Sequence, residues 1–167
     1  ARAALDAALS TVLDRPASTL TAASRALLAQ VAFERARRVD QADEVRTLAH
    51  RALDHAGPRT RLDPRGRAFH LAVLCLTFLD EWTEARAHLD HAVTANARAG
   101  RVVAYTASLV YRARVGYHTG AIDLAHADVT AALAAGGDLY DLDLPGAAAT
   151  LALIRLEAGE APSTVLA

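Results

Sequence analysis

ARAALDAALSTVL (residues 1–13), QADEVRTLAHRAL (41–53), EWTEARAHLDHAV (81–93) and AIDLAHADVTAAL (121–133) stand at an even spacing, each opening 40 positions after the last, and share one pattern. Their fifth positions are Leu5, Val45, Ala85 and Ala125, and their ninth are Leu9, Ala49, Leu89 and Val129. The twelfth are Val12, Ala52, Ala92 and Ala132; the thirteenth are Leu13, Leu53, Val93 and Leu133. Apolar residues at these four positions make one stripe at helical period. Each segment therefore predicts an amphipathic helix, here a B helix, that buries the same face each time. Asp40, Asp80 and Gly120 precede the last three as turn or N-cap residues. Gly159 recurs one position short of the next interval, ahead of residues 160–167.

Between the B helices lie longer apolar stretches that predict A helices at about 18–39, 64–79, 102–118 and 145–158. Their matched positions are Ala29, Phe69, Leu109 and Ala148, then Phe33, Val73, Ala113 and Ala152. Pro16, Pro58, Pro64 and Pro145 fall at segment ends, where proline starts a helix without losing a hydrogen bond. Gly57, Gly100, Gly136 and Gly137 follow B helices, where a left-handed terminating residue is expected. Alanines at the twelfth B position, with Ala32, Ala72 and Ala113 in the A helices, allow close helix approach. The stretch 71–79 is apolar on nearly every side, as a helix covered on both faces should be.

One helix pair cannot bury both of its apolar faces, but stacked pairs share a core. The expected fold is all-α: an α-solenoid of helix pairs with a period of about 40 residues. A compact helical bundle has no reason to repeat at that spacing. The expected organisation is one helical-repeat domain over residues 1–167, with repeat boundaries near 40, 80, 120 and 159. The sequence opens on a B helix without Met and stops eight residues into another. It reads as a fragment of a longer solenoid, whose uncapped ends invite homo-oligomerisation.

Composition agrees. The chain has 41 Ala and 24 Leu among 167 residues, and only 5% aromatics, which suits helices and argues against a β-sandwich or barrel. A hydrophobic content of 53% excludes a disordered chain. No apolar run is long enough to span a bilayer, and no signal peptide is visible. All 18 basic residues are Arg, so a Walker A phosphate loop or Schiff-base chemistry cannot lie in these residues. The single Cys75 excludes an internal disulfide and a multi-cysteine metal site, and predicts a small buried hydrophobe in a reducing, cytoplasmic setting. Residues 1–67 carry a net charge of +4 and residues 68–167 a net charge of −5. Neither is a nucleic-acid footprint.

Residues 100–136, GRVVAYTASLVYRARVGYHTGAIDLAHADVTAALAAG, carry a family resemblance. Arg112–Ala113–Arg114 in the A helix, the His118–Thr119–Gly120 turn and the run from Ala127 to Leu133 resemble the tetratricopeptide-like repeats of the large ATP-binding LuxR-type transcriptional regulators of actinomycetes, the MalT-like class. The usual tetratricopeptide unit has about 34 residues; the longer period here is similar to the MalT-type superhelix. The resemblance implies a solenoid that joins a nucleotide-binding module to a helix-turn-helix and receives an inducer. Neither flanking module is encoded in these residues. What is implied is a sensor or interaction segment.

Candidate chemistry is sparse. His88 and His91 share a helix face with Asp90 between them, but no third metal ligand is set by spacing, so they read as solvated histidines. His50 and His55 lack i+4 spacing. No nucleophile–base–orienter set emerges. Asp80, Glu81 and Glu84 suit a helix start, where carboxylates oppose the helix dipole; Asp141 and Asp143 lie in a loop-like stretch. The basic loop with Arg59, Arg61, Arg65 and Arg67 reads as solvated, and the segment from Leu139 to Pro145 as an anchored loop. One A-helix stripe is different. It runs Arg25, Leu28, Ala32, Arg35; Arg65, Ala68, Ala72, Cys75; Tyr105, Ser108, Arg112, Val115. A-helix faces usually line the concave side of such solenoids. Arg25, Arg35, Arg65, Tyr105, Ser108 and Arg112 are therefore the candidate ligand or partner groove, suited to a carboxylate, a phosphate or an acidic peptide. The expected role is non-catalytic, with no cofactor or metal: a protein-interaction or ligand-sensing domain of a cytoplasmic transcriptional regulator. Its partner is a protein, a peptide or a small-molecule inducer, with no direct nucleic-acid or membrane contact. A standalone tetratricopeptide-type adaptor that binds a peptide is the alternative.

Overall fold

A computed structural model describes residues 9–38, 41–54, 62–135, 144–161 and 165, and all regular structure among them is helical. The helices are α1 (Ala22–Ala36), α2 (Ala42–Leu53), α3 (Arg67–Phe78), α4 (Trp82–Arg98), α5 (Val102–His118), α6 (Ile122–Ala135) and α7 (Leu144–Glu157). A 3-10 turn at Ala17–Thr19 precedes them, and residues 9–13 are helical. The B helices α2, α4 and α6 start at Ala42, Trp82 and Ile122, 40 positions apart each time. The A helix α5 has the predicted bounds. α1 starts later than predicted because Pro16 leads the 3-10 turn and the Thr21 side chain then caps the helix, accepting from the Ser24 N–H at 3.1 Å. α4 runs on to Arg98, past the repeat stripe that ends at Val93.

Four of the helices end in the same way. After α3, Asp80 takes a left-handed φ of 60°, and the Glu81 N–H donates to Leu76 O at 2.9 Å. After α5, Gly120 has φ 77°, and Ala121 N–H donates to Gly116 O at 2.8 Å. After α7, Gly159 has φ 86°, and Glu160 N–H donates to Arg155 O at 3.0 Å. α4 closes likewise, with Gly100 at φ 62° and Arg101 N–H on Asn96 O at 3.0 Å. These are Schellman terminations, which satisfy carbonyls that the helix leaves open. Asp80 is thus a helix terminator, where the sequence allowed either a turn or an N-cap. Asp40, Gly57, Pro58, Gly136 and Gly137 lie outside the described residues.

The chain divides into two compact units, Ala1–Glu81 and Trp82–Ala167. In the first, α1 packs on α2 and α3, and α2 on α3. Leu28, Ala29, Val45, Leu48, Ala49, Val73 and Leu76 are buried, and so is every residue from Phe69 to Thr77. Two arginines hold this unit by its carbonyls. Arg25, fully buried, donates Nη1 to Arg51 O at 2.6 Å and Nη2 to Ala17 O at 2.7 Å. Arg51 Nη2 donates to Arg15 O at 2.6 Å and lies 3.3 and 3.2 Å from Val12 O and Leu13 O, where a cation complements the end of the helical segment 9–13.

In the second unit, α5 packs on α4, α6 and α7, and α6 on α7. Val93, Leu109, Val110, Ala113, Ala125, Val129, Ala132, Ala147 and Ile154 form its core. Gly116 sets the approach of α5 to α6: a Cβ there would stand 3.2 Å from the Ala125 Cβ. The four terminations differ only in whether glycine occupies the left-handed position. Asp80→Gly should therefore raise stability by about 0.5–1 kcal/mol, and Gly120→Ala, whose added Cβ meets nothing within 4 Å, should lower it by about 1 kcal/mol through backbone strain alone. Urea unfolding with an unchanged m-value checks both.

Candidate functional site

Arg112, midway along α5, is the best-organised polar group of the second unit. Its Nε and Nη2 donate to the two Asp128 carboxylate oxygens on α6, both at 2.7 Å. Its Nη1 donates to Asp90 Oδ1 on α4 at 2.8 Å. A forked guanidinium thus ties three helices, with the bidentate geometry that gives Arg–carboxylate pairs both strength and direction. The Asp128 hydrogen bonds, followed by the field of that carboxylate and the Asp90 contact, hold the Arg112 pKa above its ordinary value despite partial burial. Arg86 Nε lies 3.8 Å from the other Asp90 oxygen and adds a second positive charge.

The other candidates of this unit sit deeper. Ser108 is buried and donates its hydroxyl to Ala104 O at 2.7 Å, with Asn96 Nδ2 donating to Ser108 Oγ at 3.5 Å. Tyr105 is half-buried against the core cluster. In the first unit, Arg25 is spent on backbone carbonyls, and burial lowers its pKa, with nearby Asp54 opposing and Arg51 adding to the effect. Arg35 pairs with Glu44 of α2. Arg65 is exposed; its Nε donates to Asp63 Oδ2 at 2.6 Å and its backbone N–H to Asp63 Oδ1 at 3.0 Å, a local turn ahead of α3. Along the proposed stripe Leu28, Ala32, Ala72, Cys75 and Val115 are buried. Arg35, Arg65, Tyr105 and Arg112 retain surface, whereas Arg25 and Ser108 do not.

Of the two histidines expected to be solvated, His91 is exposed and His88 is half-buried. His50 Nε2 lies 2.7 Å from Glu81 Oε2, whose other oxygen accepts from Arg46 Nε at 2.6 Å. Arg46 and His50 are one helical turn apart on α2, so a single carboxylate is held by both. Sequence reading placed Glu81 at a helix start and gave it no partner. His88 Nε2 is 3.7 Å from Glu84 Oε1, and His91 is exposed. Cys75 is fully buried, and loss of water pushes its thiol up to about 12. His55, Arg59, Arg61, Asp141 and Asp143, with Leu139 and Tyr140, lie outside the described residues. No helix is long and apolar enough to cross a membrane, among the described residues. Comparison with protein-family models, with curated proteins and with solved structures finds no match.

Two outcomes follow. Arg112→Ala leaves Asp128 without its fork and should cost about 1–3 kcal/mol; Arg112→Lys should recover less than half of this, because a point charge cannot bridge both oxygens. Thermal unfolding and an Arg112/Asp128 double-mutant cycle measure the two effects. Cys75 should resist alkylation in the native chain from pH 7 to 9, across the range where an exposed thiol ionises, and react fully once the chain is unfolded. Mass spectrometry after iodoacetamide treatment reads this directly.

Proposed function

We propose that this chain is a non-catalytic α-solenoid of tetratricopeptide-like helix pairs with a period of about 40 residues, acting as the interaction or ligand-sensing segment of a cytoplasmic transcriptional regulator. The observation that supports it is the recurrence of one helix-turn-helix unit. B helices start 40 positions apart, and left-handed terminations at Asp80, Gly120 and Gly159 carry the same hydrogen bond each time. A chain built by repetition offers extended helix surface for binding. The titratable side chains favour the same reading: Cys75 is buried, Arg112 is locked between two carboxylates, and Glu81 is held by Arg46 and His50. The partner is an acidic peptide or protein segment, or an anionic inducer. Within each unit it engages the candidates that keep surface, Arg35 and Arg65 in the first and Tyr105 and Arg112 in the second, its acidic groups taking the places of the Glu44, Asp63 and Asp90 carboxylates that those arginines hold.

Thermal-shift titration of the purified chain with acidic peptides, nucleotides, sugars and acyl thioesters tests this. A ligand of the folded state at about 100 times its Kd adds about 2.7 kcal/mol. The expected result is a saturable shift with one class, diminished in Tyr105→Ala without loss of helical circular dichroism. Turnover of any of these compounds, or a flat response together with failure to capture any protein from a lysate, would contradict the proposal.

A further inference from the structure

Arg25 is a charge buried without a counter-ion. It is wholly enclosed, yet its guanidinium meets only neutral carbonyls, with Nη1 on Arg51 O at 2.6 Å and Nη2 on Ala17 O at 2.7 Å. Its buried Nε–H finds no acceptor among the described residues. Half-buried Arg51 repeats the arrangement. Its Nη2 donates to Arg15 O at 2.6 Å and lies 3.3 and 3.2 Å from Val12 O and Leu13 O, and its buried Nε–H likewise finds no acceptor. Asp54 acts on Arg25 only through its field, and Arg51 opposes that field as a like charge. Buried charges are ordinarily paired and buried N–H groups ordinarily bonded, so two guanidiniums placed like this call for an anion.

Arg112 shows what the open edge of a guanidinium does in this chain. Nε and the neighbouring Nη2 together clasp the two oxygens of Asp128, both at 2.7 Å. In Arg25 and Arg51 the same edge is half-filled: main-chain carbonyls hold Nη2, and Nε is left over. A carbonyl offers one oxygen and no formal charge. An oxyanion offers several oxygens and the charge that is missing.

The two short contacts, Arg15 O and Ala17 O, come from one turn at the surface. Asp14, Arg15, Pro16, Ser18 and Thr19 are all exposed. Within the turn, the Thr19 N–H and hydroxyl both donate to Pro16 O, at 3.0 and 2.8 Å, and these bonds persist if the turn lifts as a unit. Buried Leu20 pins its far end. Once the turn lifts, Arg15 O and Ala17 O meet water, so no buried acceptor is stranded.

We infer that Arg25 and Arg51 form a site for a phosphate dianion, free or as a monoester, held on the Nε/Nη2 edges of both guanidiniums after it replaces Arg15 O and Ala17 O of the covering turn. Two cations match two negative charges, and a tetrahedral anion has oxygens enough for two forks. Arg25 Nη1 keeps its bond to Arg51 O meanwhile, so the two side chains stay together. None of the groove candidates Arg35, Arg65, Tyr105 and Arg112 takes part, so the inference stands whether or not the proposed groove does.

Titration of the whole chain with inorganic phosphate at neutral pH, with ionic strength held constant by sodium chloride, tests the inference through the arginine Nε–H resonances. The Arg25 and Arg51 signals should move on one saturating curve, and the amides of Ala17 to Leu20 should follow it. The Nε–H of Arg65, bonded to Asp63, should not. Arg51→Gln should raise the phosphate Kd read at Arg25 by at least about tenfold, equivalent to about 1.4 kcal/mol, with the circular dichroism spectrum unchanged. Should Arg51→Gln fail to fold, Arg51→Lys removes the fork while keeping a charge and should also weaken binding. Acetate, a monoanion, should bind more weakly than phosphate. Glycerol 3-phosphate binding more tightly than phosphate marks a monoester as the ligand, and weaker binding marks the free ion. Shifts that stay linear and move all arginines alike, a curve unaltered in both Arg51 variants, acetate binding as tightly as phosphate, or saturation at Arg25 with the amides of the turn unmoved overturns the inference.

Discussion

The left-handed residue that ends four of the helices, α3, α4, α5 and α7, is the constraint on which the packing of this fold depends. A helix leaves four carbonyls without partners at its C-terminus. Asp80, Gly100, Gly120 and Gly159 each bend the chain so that the following amide returns to the carbonyl five residues earlier in sequence. At Gly100 and Gly120 the turn takes only two or three residues, so the next helix runs back against the one it follows. The apolar stripe of α6 then meets α5, and the pair buries Ala125, Val129 and Ala132 against Leu109 and Ala113. Small residues let the helices close. Gly116 opposite Ala125 is the clearest case, since an added Cβ would stand 3.2 Å from the Ala125 Cβ, closer than ordinary van der Waals contact.

On that frame the polar side chains act chiefly as ties. Arg25 and Arg51 take up carbonyls at the ends of helical segments in the first unit, and Arg112 joins three helices in the second. Arginine suits both tasks because its planar fork reaches two acceptors at once and stays charged when partly buried. Lysine, absent from the chain, carries a compact charge without that planar fork and loses its proton more readily when buried. The same economy explains why the polar stripe along the A helices is shared between internal support and surface. Arg25 and Ser108 serve the interior, and Tyr105 and Arg112 keep a side toward solvent.

Much of the helical layout was legible in the sequence because it is local and periodic. The stripe through Val45, Ala85 and Ala125 set the B helices, and its repetition carried more weight than any one segment. Gly100 and Gly120 announced their turns, since left-handed backbone favours glycine. Asp80 did not, because aspartate serves equally well as an N-cap and as a left-handed terminator, and only the hydrogen bond from Glu81 to Leu76 decides between them. The Arg112 network was hidden for a different reason. Asp90, Arg112 and Asp128 come together through helix packing, which no spacing rule encodes. One signal was nevertheless present. Arg112 stands in the column of Ala32 and Ala72, and Asp128 in that of Leu48 and His88, so opposite charges enter two columns of one repeat together. The tie of Glu81 to His50 left no such mark.

The interaction to test first is the hydrogen bond that closes each of these four terminations. Amide hydrogen exchange, read by nuclear magnetic resonance with backbone assignments, addresses it at single residues. The amides of Glu81, Arg101, Ala121 and Glu160 should be protected well beyond open-loop rates, and Asp80, Gly100, Gly120 and Gly159 should show left-handed chemical shifts. Exchange of these four amides at unstructured rates, with helical shifts running unbroken through residues 80 and 120, would contradict it.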